Sequence, residues 1–280
     1  MKAPPFAYVR ARTLDDAFEL LDKHGEGAKL LAGGQSLIAA LNLRLSSPDI
    51  LIDISRIPEL KGIAVAGGKV HIGALTTHAE IERSADIAAH VPLLAQAAPH
   101  IAHAAIRNAG TLGGSIATAD PSAEWPACCV ALDAELVIAT KAGSRRVKAR
   151  DFFKGVYATD LRSDEVLTGV DFPARGADHV SAFLELTLRR GDYAIVGVAA
   201  FAKKASGALT GVRLAYLGAG ETPILALSAM AAAEAGRPAA DVAAALAADL
   251  RPAPDLYTTA ATKLHLARVL TGRALAALAA

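Results

Sequence analysis

Cysteine is nearly missing from this chain: of 280 residues only Cys128 and Cys129 carry a thiol, and they are adjacent. Neighbouring thiols suit no disulfide framework, and two fall short of the four that cradle an iron–sulfur cluster. Any such cluster must sit on another chain. A charge excess is missing too, since 29 Lys and Arg face 28 Asp and Glu. Without a strong positive field, nucleic acid is not an expected partner. No apolar run reaches membrane-spanning length free of charge, Gly or Pro, so the chain is not read as an integral membrane protein. The opening residues Lys2 to Phe6 lack the apolar core and small-residue cleavage signal of a leader. These absences predict a cytoplasmic protein. Of the 8 histidines, His100 and His103 lie one helical turn apart, but no third ligand has a suitable spacing, and no metal site is expected.

What is present in abundance is glycine, and two Gly-Gly segments stand out. Ala32-Gly33-Gly34-Gln35-Ser36-Leu37 and Thr111-Leu112-Gly113-Gly114-Ser115-Ile116 each read as a turn with a serine at a helix start, about 80 residues apart. Glycine lets a backbone approach a bulky anion without an intervening Cβ, and the free N–H groups of the following helix turn favour negative charge. Two such turns with matching serines could hold two linked phosphates. One Gly-Gly alone says little, and Gly67-Gly68, between Val65 and Val70, reads as an ordinary hairpin.

The remaining pattern predicts a mixed α+β chain. A strand at Phe6 to Arg10 precedes a helix from Leu14 to His24, capped by Thr13 and stopped by Gly25. Lys29 to Ala32 is a strand entering the first glycine turn, Ser36 opens a helix to about Leu43, and Asp49 to Ile54 is a strand buried on both faces. A helix follows Thr77, a longer one runs from Pro92 to Ala105, and another spans Ser122 to Leu132. Strands at Glu135 to Thr140 and Glu165 to Phe172 flank a basic turn, Lys141 to Arg146, that is read as solvated; Pro173 to Ala177 reads as a linker. Beyond it, alternating strands at Val180 to Arg189, Val196 to Lys203 and Val212 to Leu217 suggest an antiparallel meander. Helices at Ile224 to Glu234, Ala239 to Leu250 and Tyr257 to about Leu278 complete the chain.

The Ala-Gly-Gly-Gln-Ser-Leu turn, the Pro48-to-Ile54 strand after it, the run Ile106-Arg107-Asn108-Ala109-Gly110-Thr111-Leu112-Gly113-Gly114-Ser115 with Ala119-Asp120-Pro121, and the small last domain resemble the FAD-binding medium subunits of molybdenum hydroxylases, the carbon monoxide dehydrogenase and xanthine dehydrogenase family. The resemblance spans essentially the whole chain. It implies a PCMH-type FAD-binding domain of the vanillyl-alcohol-oxidase kind over residues 1–176, in subdomains of about 1–55 and 56–176. A C-terminal domain, 177–280, would hold a three-stranded antiparallel sheet and three helices. The implied partners are a large molybdenum-cofactor subunit and a small [2Fe–2S] subunit, assembled as a dimer of heterotrimers. The implied function is electron transfer through FAD to an acceptor.

Carried over by position, Ala32 to Leu37 and Thr111, Gly113, Gly114 and Ser115 form the diphosphate cradle, with backbone amides as the main donors. Asp120 anchors sugar hydroxyls and Glu124 is a second acid, although both also read as caps of the following helix. Ala102, Ile106 and Leu167 line the cofactor, and for Ala102 and Ile106 core packing serves equally well. Tyr193, in Arg189-Arg190-Gly191-Asp192-Tyr193-Ala194, shields one flavin face or simply packs. No residue of the chain is expected to act as nucleophile or general base. Glu185 stands where relatives often carry lysine, so a positive charge expected near the flavin is missing. Thr118 stands where some carbon monoxide dehydrogenase relatives have histidine, which argues against carrying over that substrate. The alternatives are a stand-alone FAD oxidoreductase of the same fold and a nucleotide-binding scaffold without turnover.

Overall fold

Ile50–Asp53 is buried at every position because it is the middle strand of a parallel sheet, flanked by Ala7–Arg10 and Ala28–Leu31. These strands and the elements below come from a computed structural model that describes residues 2–205 and 207–280. The helix Leu14–His24 packs Ala17, Phe18 and Leu21 on this sheet; a capping box opens it, Thr13 Oγ1 accepting the Asp16 N–H while Asp16 accepts the Thr13 N–H. Gly25 ends it, as expected.

The second unit is an antiparallel sheet in the order Ile63–Ala66, Lys69–Gly73, Val166–Pro173, Glu135–Thr140, Gly143–Lys148. Gly67 and Gly68 form its first hairpin turn, both at positive φ. Its core joins Val70, Ile72, Leu136, Ile138 and Val170 to the helices between residues 78 and 131, including the fully buried Trp125. From His179 onward a third unit begins, an antiparallel sheet of His179–Thr187, Ala194–Ala205 and Ala208–Leu217 with the two-residue strand Ile224–Leu225 added at its edge. Helices Leu227–Glu234, Ala239–Asp249 and Ala260–Ala279 accompany it, and the Tyr216 hydroxyl meets Thr271 Oγ1 at 2.6 Å in the interior. The chain is thus mixed α+β, with helices and an antiparallel sheet in the last unit.

Three expectations are corrected. The segment Pro92 to Ala105 is not one helix: Pro92–Ala97 passes into a 3₁₀ turn, Ala98–His100, and then breaks at Ala102, where φ is +45°. Pro99 has no N–H to continue the helical ladder, and its ring crowds the preceding turn. The second Gly-Gly segment is not a turn before a helix, because Thr111 is itself the N-cap of Leu112–Thr118 and both glycines lie in the first helical turn. Ser115 is therefore inside that helix rather than at its start.

The third correction concerns the basic turn, of which Gly143–Lys148 is a strand. Arg145 donates to both oxygens of Glu165, at 2.6 and 2.7 Å, and to Asp160 at 2.6 Å; Arg146 pairs with Asp171. The Glu165 side chain is buried and its carboxyl is held below the usual range, chiefly by the Arg145 hydrogen bonds. Arg145→Ala would leave this carboxylate with the Arg162 N–H as its remaining donor. A buried pair broken on one side costs about 3–5 kcal/mol, reduced here to about 2–3 because Arg145 is partly exposed. Urea unfolding should show that loss, and a loss under about 1 kcal/mol would mean that water replaces the guanidinium.

Candidate functional site

The strand Ala28–Leu31 delivers the chain into Ala32-Gly33-Gly34, where Gly34 turns at φ +72° and the helix Leu37–Asn42 begins. Among the described residues, the N–H groups of Gly33, Gly34, Gln35, Ser36 and Leu37 donate no hydrogen bond within the protein, and Gln35 Nε2 ties the loop by donating to Gly33 O at 3.1 Å. The Ser36 hydroxyl makes no capping bond. The loop is half-buried to exposed. Successive unclaimed N–H groups are donors suited to an anion.

The second segment is built differently. Leu112 N–H donates to Thr76 O at 3.0 Å, Gly113 N–H to Ala74 O at 2.8 Å, Gly114 N–H to Thr111 Oγ1 at 3.1 Å and Ser115 N–H to Thr111 O at 3.1 Å. Each of these four amides has a partner in the protein, whereas the Thr111 N–H has none among the described residues. The glycines of this segment have another purpose. A Cβ at Gly113 would stand 2.5 Å from the Ala74 Cβ, and one at Gly33 would overlap the Ala109 carbonyl. Gly114 is crowded on one side only: a Cβ there would stand 2.9 Å from Thr111 Oγ1 and otherwise meet only the Ala32 Cβ at 3.9 Å. The two segments therefore converge, with Gly114 facing Ala32 and the Ser115 hydroxyl half-buried beside them.

Beyond Ser115 the helix ends at Ala119, in left-handed backbone, and Thr118 Oγ1 donates to Gly114 O at 2.7 Å. Asp120 accepts the Ser122 N–H at 2.9 Å and the Tyr157 hydroxyl at 3.3 Å. It is not the cap of the next helix, whose N-cap is Ala123, and Glu124 is the first residue of that helix, 8% exposed. Neither carboxylate therefore has the capping role that the sequence left open. Glu185 is buried, with Oε1 3.3 Å from His100 Nδ1 and Oε2 without a hydrogen-bond partner. Tyr193 is 73% exposed and Tyr157 64% exposed. The Tyr193 phenol is raised, first by partial burial and then by the charges of Asp120 and Glu124.

The hairpin carrying Tyr193 rests on the 102–103 segment, because a Cβ at Gly191 would stand 2.7 Å from the His103 ring and 3.0 Å from Ala102 O. Ile106 is half-buried in the short helix Ala104–Arg107 that follows. Leu167 lies in the core of the antiparallel sheet. Sequence reasoning passed over Tyr157, His78 and Trp125. The signal for His78 was the Thr77–Glu80 capping box that places it at a helix start. Tyr157, in a loop between short strands, offered none.

The family profile described as "FAD binding domain in molybdopterin dehydrogenase" matches residues 4–175, and that described as "CO dehydrogenase flavoprotein C-terminal domain" matches residues 181–278. The chain is 36% identical to the 6-hydroxypseudooxynicotine dehydrogenase complex subunit alpha of Paenarthrobacter nicotinovorans, over 99% of this chain and 95% of that protein. It is 37% identical to the carbon monoxide dehydrogenase medium chain of Hydrogenophaga pseudoflava, over 98% and 97% respectively. A solved structure of carbon monoxide dehydrogenase from that organism superposes with a TM-score of 0.96 at 38% identity, covering 99% of this chain and 98% of that one. Quinoline 2-oxidoreductase from Pseudomonas putida 86 gives 0.92 at 35% identity, covering 100% and 98%.

Two buried titratable groups beside these segments set opposite pH dependences. Burial, then the Arg107 charge, pushes His78 down to about 4 from 6.5. The unfolded chain takes up that proton first, so stability falls as pH drops through this window. Burial, then Glu185 and Asp120, pushes Glu124 up to about 8 from 4.5. Here the unfolded chain releases its proton first, and stability falls as pH rises from 4.5 towards 8. Glu124→Gln should therefore gain on the wild type by about 3 kcal/mol between pH 5 and pH 8. Urea melts at successive pH values measure this, and parallel curves for the two proteins would contradict it.

Proposed function

Since the chain belongs to the FAD-binding medium subunits of the molybdopterin dehydrogenases, the carbon monoxide dehydrogenase and xanthine dehydrogenase family, we propose that it passes electrons from [2Fe–2S] clusters on a partner chain through FAD to an external acceptor. The observation that carries the reading is the row of unclaimed N–H groups from Gly33 to Leu37, in a loop whose Ala32 faces Gly114. The FAD supplies the redox chemistry when bound. The residues of this chain bind, orient and shield.

In this reading Ala32 to Leu37 hold the diphosphate by backbone donors, with the Ser36 and Ser115 hydroxyls adding to them. Gly113 fixes the helix turn that closes the cradle, its N–H held by Ala74 O, while the Thr111 N–H, without a partner among the described residues, adds a donor. Asp120 accepts from sugar hydroxyls, while Glu124 stands beside it as a largely neutral acid at pH 7. Ala102 and Ile106 line the cofactor, and Leu167 supports it from the core. Tyr193, exposed beside Tyr157, covers one flavin face and excludes water from it. Cys128 and Cys129 are fully buried, their thiols pushed up by burial. Such thiols are unsuited as cluster ligands, and in this reading the clusters lie on a small partner and the molybdenum cofactor on a large one. Relatives named "complex subunit" and "medium chain" support such an assembly, and a dimer of heterotrimers is its proposed form.

Ser36→Asp is the sharpest test of the cradle. Aspartate is a good N-cap residue, so the fold should tolerate it, while its charge repels a phosphate. Extracted flavin should fall at least tenfold relative to wild type, with Ser36→Ala nearly unaffected and the melting temperature of the flavin-free protein unchanged. FMN instead of FAD, or full FAD in Ser36→Asp, would refute the assignment. Native co-purification should bring down a large molybdenum chain and a cysteine-rich iron chain. Turnover of a substrate by this chain alone would favour the stand-alone oxidoreductase. Tyr193→Ala should keep FAD bound but change its absorption spectrum and its rate of reoxidation, and identical values would make Tyr193 a packing residue.

A further inference from the structure

The capping box at Thr77 leaves His78 as the first residue of the helix His78–Arg83. The N–H of a first helical residue has no partner within its own helix. Here it donates to Gly110 O at 3.0 Å, while Leu112 N–H donates to Thr76 O, so Thr77 and Thr111 pair as an antiparallel bridge. The backbone at His78 is thus sewn to the segment that opens the second glycine motif.

The side chain of His78 turns inward and is 5% exposed. Its Nδ1 accepts the Trp125 indole N–H at 2.9 Å, with the rings 5.9 Å apart and tilted by 53°. A neutral imidazole whose Nδ1 accepts carries its proton on Nε2. The opposite edge of the ring occupies the space that Gly110 leaves free: a Cβ there would stand 2.7 Å from Nε2 and 2.9 Å from Cδ2. Trp125 follows Glu124 at the start of the helix Glu124–Ala131. The far end of that helix is gripped from the C-terminal sheet, where Arg213 donates to Val130 O and Ala131 O at 2.8 and 2.6 Å. One imidazole therefore stands between the glycine segment and the helix that joins it to the C-terminal unit.

We propose that His78 is a positioning residue for the FAD site: by accepting from Trp125 while filling the face of Gly110, it sets the spacing between the Thr111–Ser115 turn and the Asp120–Glu124 end of the cofactor. This rests on the reading that FAD lies along those residues. A residue in this role fixes where two halves of a ligand site stand, so its loss weakens the ligand rather than merely the fold.

The test uses the full chain in its complex and measures FAD affinity by reconstitution after flavin removal, beside the melting temperature of the flavin-free form. His78→Asn places an amide oxygen near the position of Nδ1 and can still accept from the indole. His78→Leu fills similar space without an acceptor. The expected result is an FAD affinity at least tenfold lower in His78→Leu and within about threefold of wild type in His78→Asn. Trp125→Phe, which removes the donor and keeps an aromatic ring, covers the case in which His78→Leu fails to fold, and it should show the same loss. Wild-type affinity in folded His78→Leu or in Trp125→Phe would overturn the proposal, as would an Asn variant as weak as the Leu variant. A wild-type chain that takes up no FAD would instead strike at the functional reading itself.

Discussion

Backbone lies against backbone where Gly33 faces Ala109 and Gly110, and the arrangement of the site follows from that contact. The parallel sheet ends in a loop at Ala32 to Leu37, and the antiparallel unit presents Ile106 to Ser115; with a side chain at Gly33 the segments would be held apart, and with one at Gly113 the second segment would be pushed off Ala74. Glycine is required here for protein against protein, not only for protein against ligand. In the proposed reading, the unclaimed donors of the first loop serve because the second segment stands close enough to close a cradle over them.

The two segments look alike in sequence and divide the work. Thr111 caps its helix and accepts the Gly114 N–H, and the neighbouring amides bond to Ala74, Thr76 and Thr111 itself. Ser36 caps nothing, and its loop keeps its donors. A helix N-terminus offers an anion only the N–H groups that nothing else has claimed. In the proposed reading the first motif is the anion-facing half and the second its support, a difference that follows from the extended backbone at Thr111, which lets its side chain cap, against the helical backbone at Ser36, which does not.

Local chemistry was legible in the sequence wherever the partner was a few residues away. The Thr13 cap and Gly25 stop, the Gly67-Gly68 hairpin, the burial of Ile50 to Asp53 and the meander after His179 all follow from composition over short windows. What failed depended on distant partners. That Gly113 N–H belongs to Ala74 O is a tertiary fact, and so is the guanidinium of Arg145 lying against Glu165, 20 residues away. The break at Ala102 was within reach, since Pro99 carries the signal, but the apolar pattern through it outweighed one proline. Of the candidate site, both glycine segments were legible from their residues and the Arg-Gly-Asp-Tyr hairpin from the resemblance, while Tyr157 and the His78–Trp125 pair carried no motif.

The interior treats its ionisable groups in two ways, and the contrast explains why some remain charged. Glu165 lies in a buried position yet stays ionised because Arg145 meets both of its oxygens and the Arg162 N–H donates to one of them. His78 and Glu124 have no such counter-ion. Desolvation dominates both, and each meets it by holding the neutral form, histidine by refusing a proton and glutamate by keeping one. A neutral imidazole can then accept from Trp125, which an imidazolium could not, so the low dielectric that would penalise a charge also maintains the hydrogen bond that joins the glycine segment to its neighbouring helix.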